Sequence, residues 1–191
     1  METVTVDNTV IILEKTSRTK AKAIEYLVRI LNRLTEGKRY YPPFYMFEEI
    51  YKELKRESPE LYETILSRYP KDVVEKVDKV VELVPLLSKV NADLRRRSDF
   101  WAPFLDAVTI PEDKELRVSV YVEPVYDECY WKVREELGIE YEDDPRKFGR
   151  AIIECIENFV RPSLKKVFGD KAKFECRGIV RPRCHAYIEI E

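Results

Sequence analysis

The chain has 191 residues, of which 37% are charged, and its 34 Lys and Arg against 36 Asp and Glu give a formal net charge of −2. This length favours one domain, or one domain with a large insertion, and allows a hydrophobic core that is stable without cross-links. The balanced charge excludes a global basic field of the kind that histone-like proteins carry, so contact with nucleic acid requires a local patch.

The composition indicates a growth temperature. Gln is absent, Asn occurs four times and Met twice, whereas Glu and Lys are abundant. This usage is typical of hyperthermophile proteins and predicts a thermophilic archaeal source. The first residues lack a basic segment followed by an apolar one, and no run of about 18 apolar residues occurs, so we expect a cytoplasmic protein without a membrane span. Disulfides stay open, because hyperthermophiles are the exception to the rule that cytosolic thiols are reduced.

The first elements are predicted from β-branched and helical patterns. Residues 4–13 are β-branched and apolar around a turn-like Asp-Asn-Thr, which predicts a hairpin or one bulged strand. A helix is predicted from Ser17 to Glu36, because Thr16 and Ser17 can cap its start and Gly37 can end it. After the segment KRYYPPFY, further helices are predicted around residues 47–54, from residue 59 and from Pro70.

The helix that starts at Pro70 has heptad spacing. Apolar residues alternate four and three positions apart with one Asn among them, which predicts pairing with another helix and self-association of the protein. The alternative is an ordinary core-facing helix, because about three heptads lie at the lower limit for a coiled coil. Pro85 predicts a kink or a break. The predicted seam consists of Val73, Val77, Val80, Val84, Leu87, Asn91 and Leu94.

From residue 116 the apolar period changes to two. Residues 116–123 predict a half-buried antiparallel strand. Two helices follow, one that ends at Gly138 and one that opens at Pro145, bends at Pro162 and ends at Gly169. Residues 174–190 predict two last strands. The expected fold is a single α+β domain over residues 1–191, with an antiparallel sheet of about four strands, helices on one face and a helical insertion at residues 44–110.

The residues near the C-terminus could suggest a metal site or a catalytic site. Strand alternation instead places Cys176 and Cys184 on the buried face, which predicts either small core residues or a cross-strand disulfide. Zinc is disfavoured because these cysteines are eight residues apart, while Cys129 and Cys155 each stand alone on a predicted helix. We therefore expect no metal and no cofactor.

Signatures of common enzymes are also missing. His185 is the only histidine, so a two-histidine metal motif cannot exist. The chain lacks the motifs GxSxG, GxxxxGK[ST] and GxGxxG. The acidic run at residues 140–144 is more simply a capping loop before Pro145. We expect a protein that is not an enzyme, with an enzyme of unrecognised type as the least favoured alternative.

The outer face of the predicted sheet combines Arg with Tyr and His, and a similar combination follows the helix that ends near residue 97. Flat rings and cations together are what a single strand of DNA or RNA needs. The sequence therefore predicts a protein that binds single-stranded nucleic acid. The alternatives are a solvated face and a structural or assembly protein that docks a partner through the 70–97 helix. The predicted contacts are Arg95, Arg96, Arg97, Phe100, Trp101, Arg117, Tyr121, Lys173, Arg177, Arg181, Arg183, His185 and Tyr187.

Overall fold

The computed structural model describes residues 2–6, 9–13, 17–40, 42–97, 105–109, 115–121, 123–180 and 183–190. The chain forms two compact units, Met1–Pro85 and Leu86–Glu191. We call them the N-terminal unit and the C-terminal unit. In the part of the chain that is described, no helix is both long and apolar enough to cross a membrane.

The N-terminal unit contains a two-stranded antiparallel sheet followed by helices. Val6 pairs with Thr9, and among the described residues the two strands pair only with each other. The elements are β1 (Glu2–Val6), β2 (Thr9–Leu13), α1 (Arg18–Thr35), α2 (Phe44–Ile50), a π-helical segment (Tyr51–Arg56), α3 (Pro59–Leu66) and the first part of α4 (Lys71–Arg97).

The ends of α1 confirm the predicted helix. The backbone N–H of Lys20 donates to the Ser17 side chain at 3.3 Å, and Gly37 has a φ of +69°. That left-handed conformation suits glycine, which has no Cβ. The helix buries one face against α2 and the π-helical segment, and the core of the unit includes Ile24, Leu27, Leu31, Phe44, Phe47, Ile50 and Leu54.

The C-terminal unit combines helices with a four-stranded antiparallel sheet of order β3-β4-β6-β5. The edge strand β5 packs against α6, and its pairing with β6 is shifted between Cys176 and Gly178. The elements after α4 are β3 (Leu105–Thr109), β4 (Glu115–Tyr121), α5 (Glu123–Leu137), α6 (Pro145–Phe168), a short 3-10 turn (Gly169–Lys171), β5 (Ala172–Val180) and β6 (Arg183–Ile190).

The predicted fold class is corrected by these findings. The molecule is mostly helical, and no sheet organises the whole chain. The residue 2–13 hairpin, expected to supply a strand of the main sheet, stays outside it, and β3 lies inside residues 44–110, where helices were expected. The physical reason is that alternation identifies a strand but not its partner, which is set by tertiary packing.

The heptad seam of α4 is buried by the chain itself. Val77, Leu87 and Leu94 have no exposed surface, and Val80 is 1% exposed. Val73 and Val84 are also buried, and Asn91 is partly exposed. These apolar side chains are therefore not available on the surface for pairing with a second copy, as the core-facing alternative implies. The helix also continues through Pro85 without a break.

Two disulfides join neighbouring elements of the C-terminal unit. Cys176 and Cys184 are bonded across β5 and β6, which is one of the two alternatives that strand alternation left open. Cys129 and Cys155, which lie on separate helices as predicted, link α5 to α6 with a Cα–Cα distance of 5.8 Å. The sequence left disulfides open and did not identify this pair, because the approach of two helices cannot be deduced from the spacing of their cysteines.

Candidate nucleic-acid interface

A cleft of about 630 Å³ lies between the C-terminal half of α6 and the start of β5. We call it the basic cleft. Its apolar part is formed by Pro162, Leu164, Ala172 and Phe174, and its polar part by Asn158, Arg161, Lys165, Asp170 and Lys173, with Gly169 at the turn.

The local sequence explains why these side chains converge. Asn158, Arg161 and Lys165 are three and four residues apart, so they share one face of α6. Gly169 then ends the helix with a φ of +66°, and its backbone N–H donates to the Lys165 carbonyl. The chain thereby reverses direction within the 3-10 turn, which sets the first residues of β5 beside α6.

The cleft carries three cationic side chains and one carboxylate. Lys165 and Asp170 form an ion pair at 3.0 Å, but both are largely exposed, so the pair stabilises little. Lys173 is exposed at the start of β5. The residues that line the cleft thus include more basic than acidic side chains, although the chain as a whole has a formal net charge of −2.

Glu157 holds Arg161 in place from below the cleft. This glutamate is only 8% exposed. One carboxylate oxygen accepts the backbone N–H of Cys176 at 2.8 Å, and the other accepts the Arg161 guanidinium at 2.5 Å. Because both oxygens are satisfied, the buried charge fastens α6 to the edge strand and orients Arg161 toward the cleft.

Asp93 forms a second polar contact between helices, which we call the α4–α6 clasp. Its side chain is buried and accepts the Lys166 ammonium at 2.7 Å, the Ser163 hydroxyl at 2.8 Å and the Arg96 guanidinium at 3.2 Å. The hydrogen bonds from Lys166 and Ser163 outweigh the opposing effect of burial and lower the pKa of Asp93. Asp93 therefore stays ionised at neutral pH.

The predicted arginine cluster is partly used by this clasp. Arg97 donates to the Phe159 carbonyl at 2.6 Å and to the Ser163 hydroxyl at 2.8 Å, and its guanidinium lies 4.7 Å from the centre of the Phe159 ring. Arg97 thus holds α4 against α6. Arg95 and Arg96 are exposed, and 71% of the Arg96 side chain remains accessible.

The other predicted contacts fall in three groups. Arg177 is exposed and lies 3.2 Å from Glu175, which reduces its charge locally. Phe100, Trp101 and Arg181 lie outside the described residues. For the remaining positions, on β4 and β6, only the backbone is described. Its register sets Arg117 opposite Tyr187, Ser119 opposite His185 and Tyr121 opposite Arg183. The predicted Arg and aromatic positions of β4 and β6 are therefore neighbours in the backbone register.

The sequence reasoning missed several residues of the interface. Arg161, Lys165 and Lys166 were visible as a basic run in RPSLKK, but a run on a helix is usually a solvated face. Asn158 and Glu157 were not predicted, although each contacts Arg161 within the same helix. The contact of Glu157 with the Cys176 N–H is non-local and appears only when α6 packs against β5.

Metal chemistry has no support from the part of the chain that is described, where no group of three or more His, Cys, Asp or Glu side chains is placed to hold an ion. Comparison with known proteins finds no match to this chain among family models, curated proteins or solved structures.

Proposed function

We propose that the protein binds single-stranded nucleic acid and that the basic cleft holds its phosphates. The observation that carries this proposal is the convergence of Arg161, Lys165 and Lys173 on one cleft with an apolar floor. Cations that follow a backbone, next to apolar or aromatic surface for the bases, are the common features of proteins that bind single strands. The cleft volume is within the range of about 300 to 1,000 Å³ that is typical of ligand sites.

The shape of the site favours a single strand over a duplex. We expect a cleft with a helix on one side and a strand on the other to hold one sugar-phosphate backbone, with its bases extending beyond the cleft. The Phe174 ring lines the cleft but is only 5% exposed, so it offers an edge and not a stacking platform. We expect stacking instead on Tyr121 and Tyr187, which are paired in the β4–β6 register with Arg183 and Arg117, respectively.

The proposal also includes the cellular compartment and the source organism. We propose that the protein acts in the cytoplasm of a hyperthermophilic archaeon, and its two disulfides agree with this because such organisms keep disulfides in intracellular proteins. No catalytic step is proposed. Docking of a partner through the 70–97 helix has no exposed apolar seam to support it.

The test is fluorescence anisotropy with labelled single-stranded DNA, single-stranded RNA and duplex oligomers at about 50 and 200 mM salt. We expect micromolar binding that favours single strands. The variant Arg161→Gln, Lys165→Gln, Lys173→Gln should bind at least tenfold more weakly, and its salt slope should fall by about 2, since each lost phosphate contact on a single strand contributes about 0.7.

The matched control neutralises three exposed cations elsewhere in the same unit: Lys132→Gln, Arg146→Gln, Arg150→Gln. It makes the same change in net charge and should alter affinity less than threefold. Equal weakening by both sets would mean that only the net charge matters, and the proposal would fail. It would also fail if the unmodified protein does not bind at low salt.

A further inference from the structure

Positive charge is also concentrated on the exposed face of α1, in the N-terminal unit. Residues 18–39 contain seven Lys or Arg and only two Glu, in a chain whose formal net charge is −2. At about 100° per residue, the four cations Arg18, Lys22, Arg29 and Arg33 lie within about 60° of one another around the helix. They extend over about 22 Å of helix length, at 1.5 Å per residue. We call this row the α1 ridge.

Among the described residues, the α1 ridge contains one internal ion pair. Arg29 pairs with Glu25 one turn away, and 43% of its side chain is exposed. Arg18, Lys22 and Arg33 are exposed, and none of them forms an ion pair with another residue that the structure describes. Three accessible cations on one helix face are therefore placed to accept anionic groups without giving up an ion pair to another described residue.

Two tyrosines lie at the edge of this row. Tyr26 is on α1, and its ring packs edge-on against the ring of Tyr45 from α2, with centroids 6.0 Å apart. Tyr45 is 55% exposed, which is unusual for a large aromatic side chain in this protein. The contact with Tyr26 restrains the Tyr45 ring while most of its surface stays accessible, which is the arrangement of a stacking platform.

We infer that the α1 ridge is a second surface for single-stranded nucleic acid, with phosphates on Arg18, Lys22 and Arg33 and a base stacked on Tyr45. A four-residue step on a helix is about 6 Å. Phosphates of a stacked strand are about 3.4 Å apart along its axis, so Arg18 and Lys22, four residues apart, would meet phosphates about two apart. Lys22 and Arg33 are eleven residues or about 16 Å apart, which corresponds to about five phosphates. The inference uses the ligand class of the proposed function, but its residues belong to the other unit and do not include the basic cleft.

The structure disfavours a lipid surface as the partner of this ridge. A basic amphipathic helix binds a membrane by inserting its apolar face among the lipids. In α1 that face is already used, because Ile24, Leu27 and Leu31 have no exposed surface. An acidic protein would satisfy the cations but would leave Tyr45 without a flat partner, so a polynucleotide fits both features.

The experiment compares three variants of the full chain by anisotropy with labelled single-stranded DNA and RNA. Arg18→Gln, Lys22→Gln, Arg33→Gln should weaken binding at least fivefold and lower the salt slope by about 2. Tyr45→Ala should weaken binding about fivefold to tenfold with an unchanged salt slope, since it removes stacking and no charge. Arg68→Gln, Lys71→Gln, Lys79→Gln neutralises three exposed cations of the same unit and should change affinity less than twofold.

Competition with polyglutamate tests whether the α1 ridge binds an acidic protein and not a nucleic acid. Displacement of the oligonucleotide from the ridge by polyglutamate at equal charge concentration, with no effect of Tyr45→Ala, would overturn the inference. Protection of Lys22 from acetylation by bound oligonucleotide gives a second readout in the unmodified protein. Lack of protection would also overturn it.

The two sets of variants separate this inference from the proposed function. Weakening by the cleft variant alone would refute the ridge and leave the proposed function intact. Weakening by the ridge variant alone would support the ridge and refute the cleft as the phosphate site. Circular dichroism of each variant confirms that these exposed substitutions leave the fold unchanged.

Discussion

The N-terminal unit contains no cysteine, whereas the C-terminal unit contains all four in two disulfides. Both units bury large apolar side chains, among them Phe44, Phe47 and Tyr62 in the N-terminal unit and Phe148 and Phe174 in the C-terminal unit. Packing of this kind removes apolar surface from water without cross-links. The C-terminal unit therefore adds covalent links to an apolar core, whereas the N-terminal unit has the apolar core without them.

The two units also differ in how deeply their charged side chains are buried. In the C-terminal unit, Asp93 and Glu157 are buried carboxylates that join separate elements of the fold. The ion pairs of the N-terminal unit are more exposed, and the most connected one joins Lys55 of the π-helical segment to Asp78 of α4. Asp93 joins two helices, whereas Glu157 satisfies a backbone N–H of the edge strand β5.

Removal of the disulfide between α5 and α6 should cause the largest loss in the free energy of unfolding. The variant Cys129→Ser, Cys155→Ser opens a link between residues 26 apart, and loop entropy predicts a loss of about 3.5 kcal/mol in the free energy of unfolding. Urea unfolding measures the total. Hydrogen exchange should locate the loss of protection in α5 and α6.

The control for this prediction is the other disulfide. Cys176→Ser, Cys184→Ser opens a link of eight residues, so we expect a smaller loss of about 2.5 kcal/mol. A larger effect of the shorter link, or equal loss of protection over α1 and α6, would contradict the view that the cross-links serve the C-terminal unit.

The substitution Asp93→Asn should cause the next largest loss in the free energy of unfolding, and this loss should depend on pH. The pKa of Asp93 is lowered in the folded protein, so its contribution to stability is present above the unfolded pKa of about 3.9 and is lost as the pH falls through the folded value. Asp93→Asn should cost about 1 to 3 kcal/mol at pH 7, because the Ser163 and Lys166 donors lose a charged acceptor.

Urea unfolding of the two proteins from pH 7 down to pH 2 measures this difference. The curves for the unmodified protein and for Asp93→Asn should converge at the acid end. Asp170→Asn removes an exposed carboxylate of the same unit and should cost less than about 0.5 kcal/mol at any pH. A constant gap between the two curves would show that charge on Asp93 is not the cause.

Local features of the fold could be predicted from the sequence, and non-local ones could not. Ser17 caps α1, and Asp144 caps α6 by accepting the Lys147 N–H at 3.0 Å, because capping depends on residues three apart. Gly37 and Gly169 end their helices for an equally local reason. The partner of a strand or a cysteine depends on packing between distant segments, which is why β3 and the Cys129–Cys155 link were missed.

The same limit applies to the candidate site. Lys173 was predicted from its strand face, and it lines the basic cleft. Arg97 was predicted as a phosphate contact, but its donors are used by Phe159 and Ser163 on α6. Residue type and strand parity therefore identify cations that can bind, whereas their internal partners decide which of them are available.

Of the changes considered, controls apart, substitution of Tyr62 in the N-terminal unit should cause the smallest loss in the free energy of unfolding. The buried hydroxyl of Tyr62 donates to Asp78 at 2.9 Å, and the same carboxylate oxygen accepts Lys55 at 2.6 Å. Tyr62→Phe should cost about 1 kcal/mol, because Asp78 keeps its ionic partner while one neutral donor is lost. Tyr45→Phe, which changes an exposed hydroxyl, should be nearly neutral in the same urea unfolding assay.

The protonation of Lys55 determines whether the stability cost of Tyr62→Phe changes with pH. Burial alone would lower the pKa of Lys55, but the hydrogen bond and charge of Asp78, aided by Glu82, raise it overall. A raised folded pKa means that the contribution of Lys55 is present below its unfolded pKa of about 10.4 and is lost only above it. The cost of Tyr62→Phe should therefore be the same from pH 5 to pH 9, with its loss of hydrogen-exchange protection in α3 and the first part of α4. A cost that changes over this range, or that appears in β5 and β6, would mean that the two units do not divide their stabilising interactions in this way.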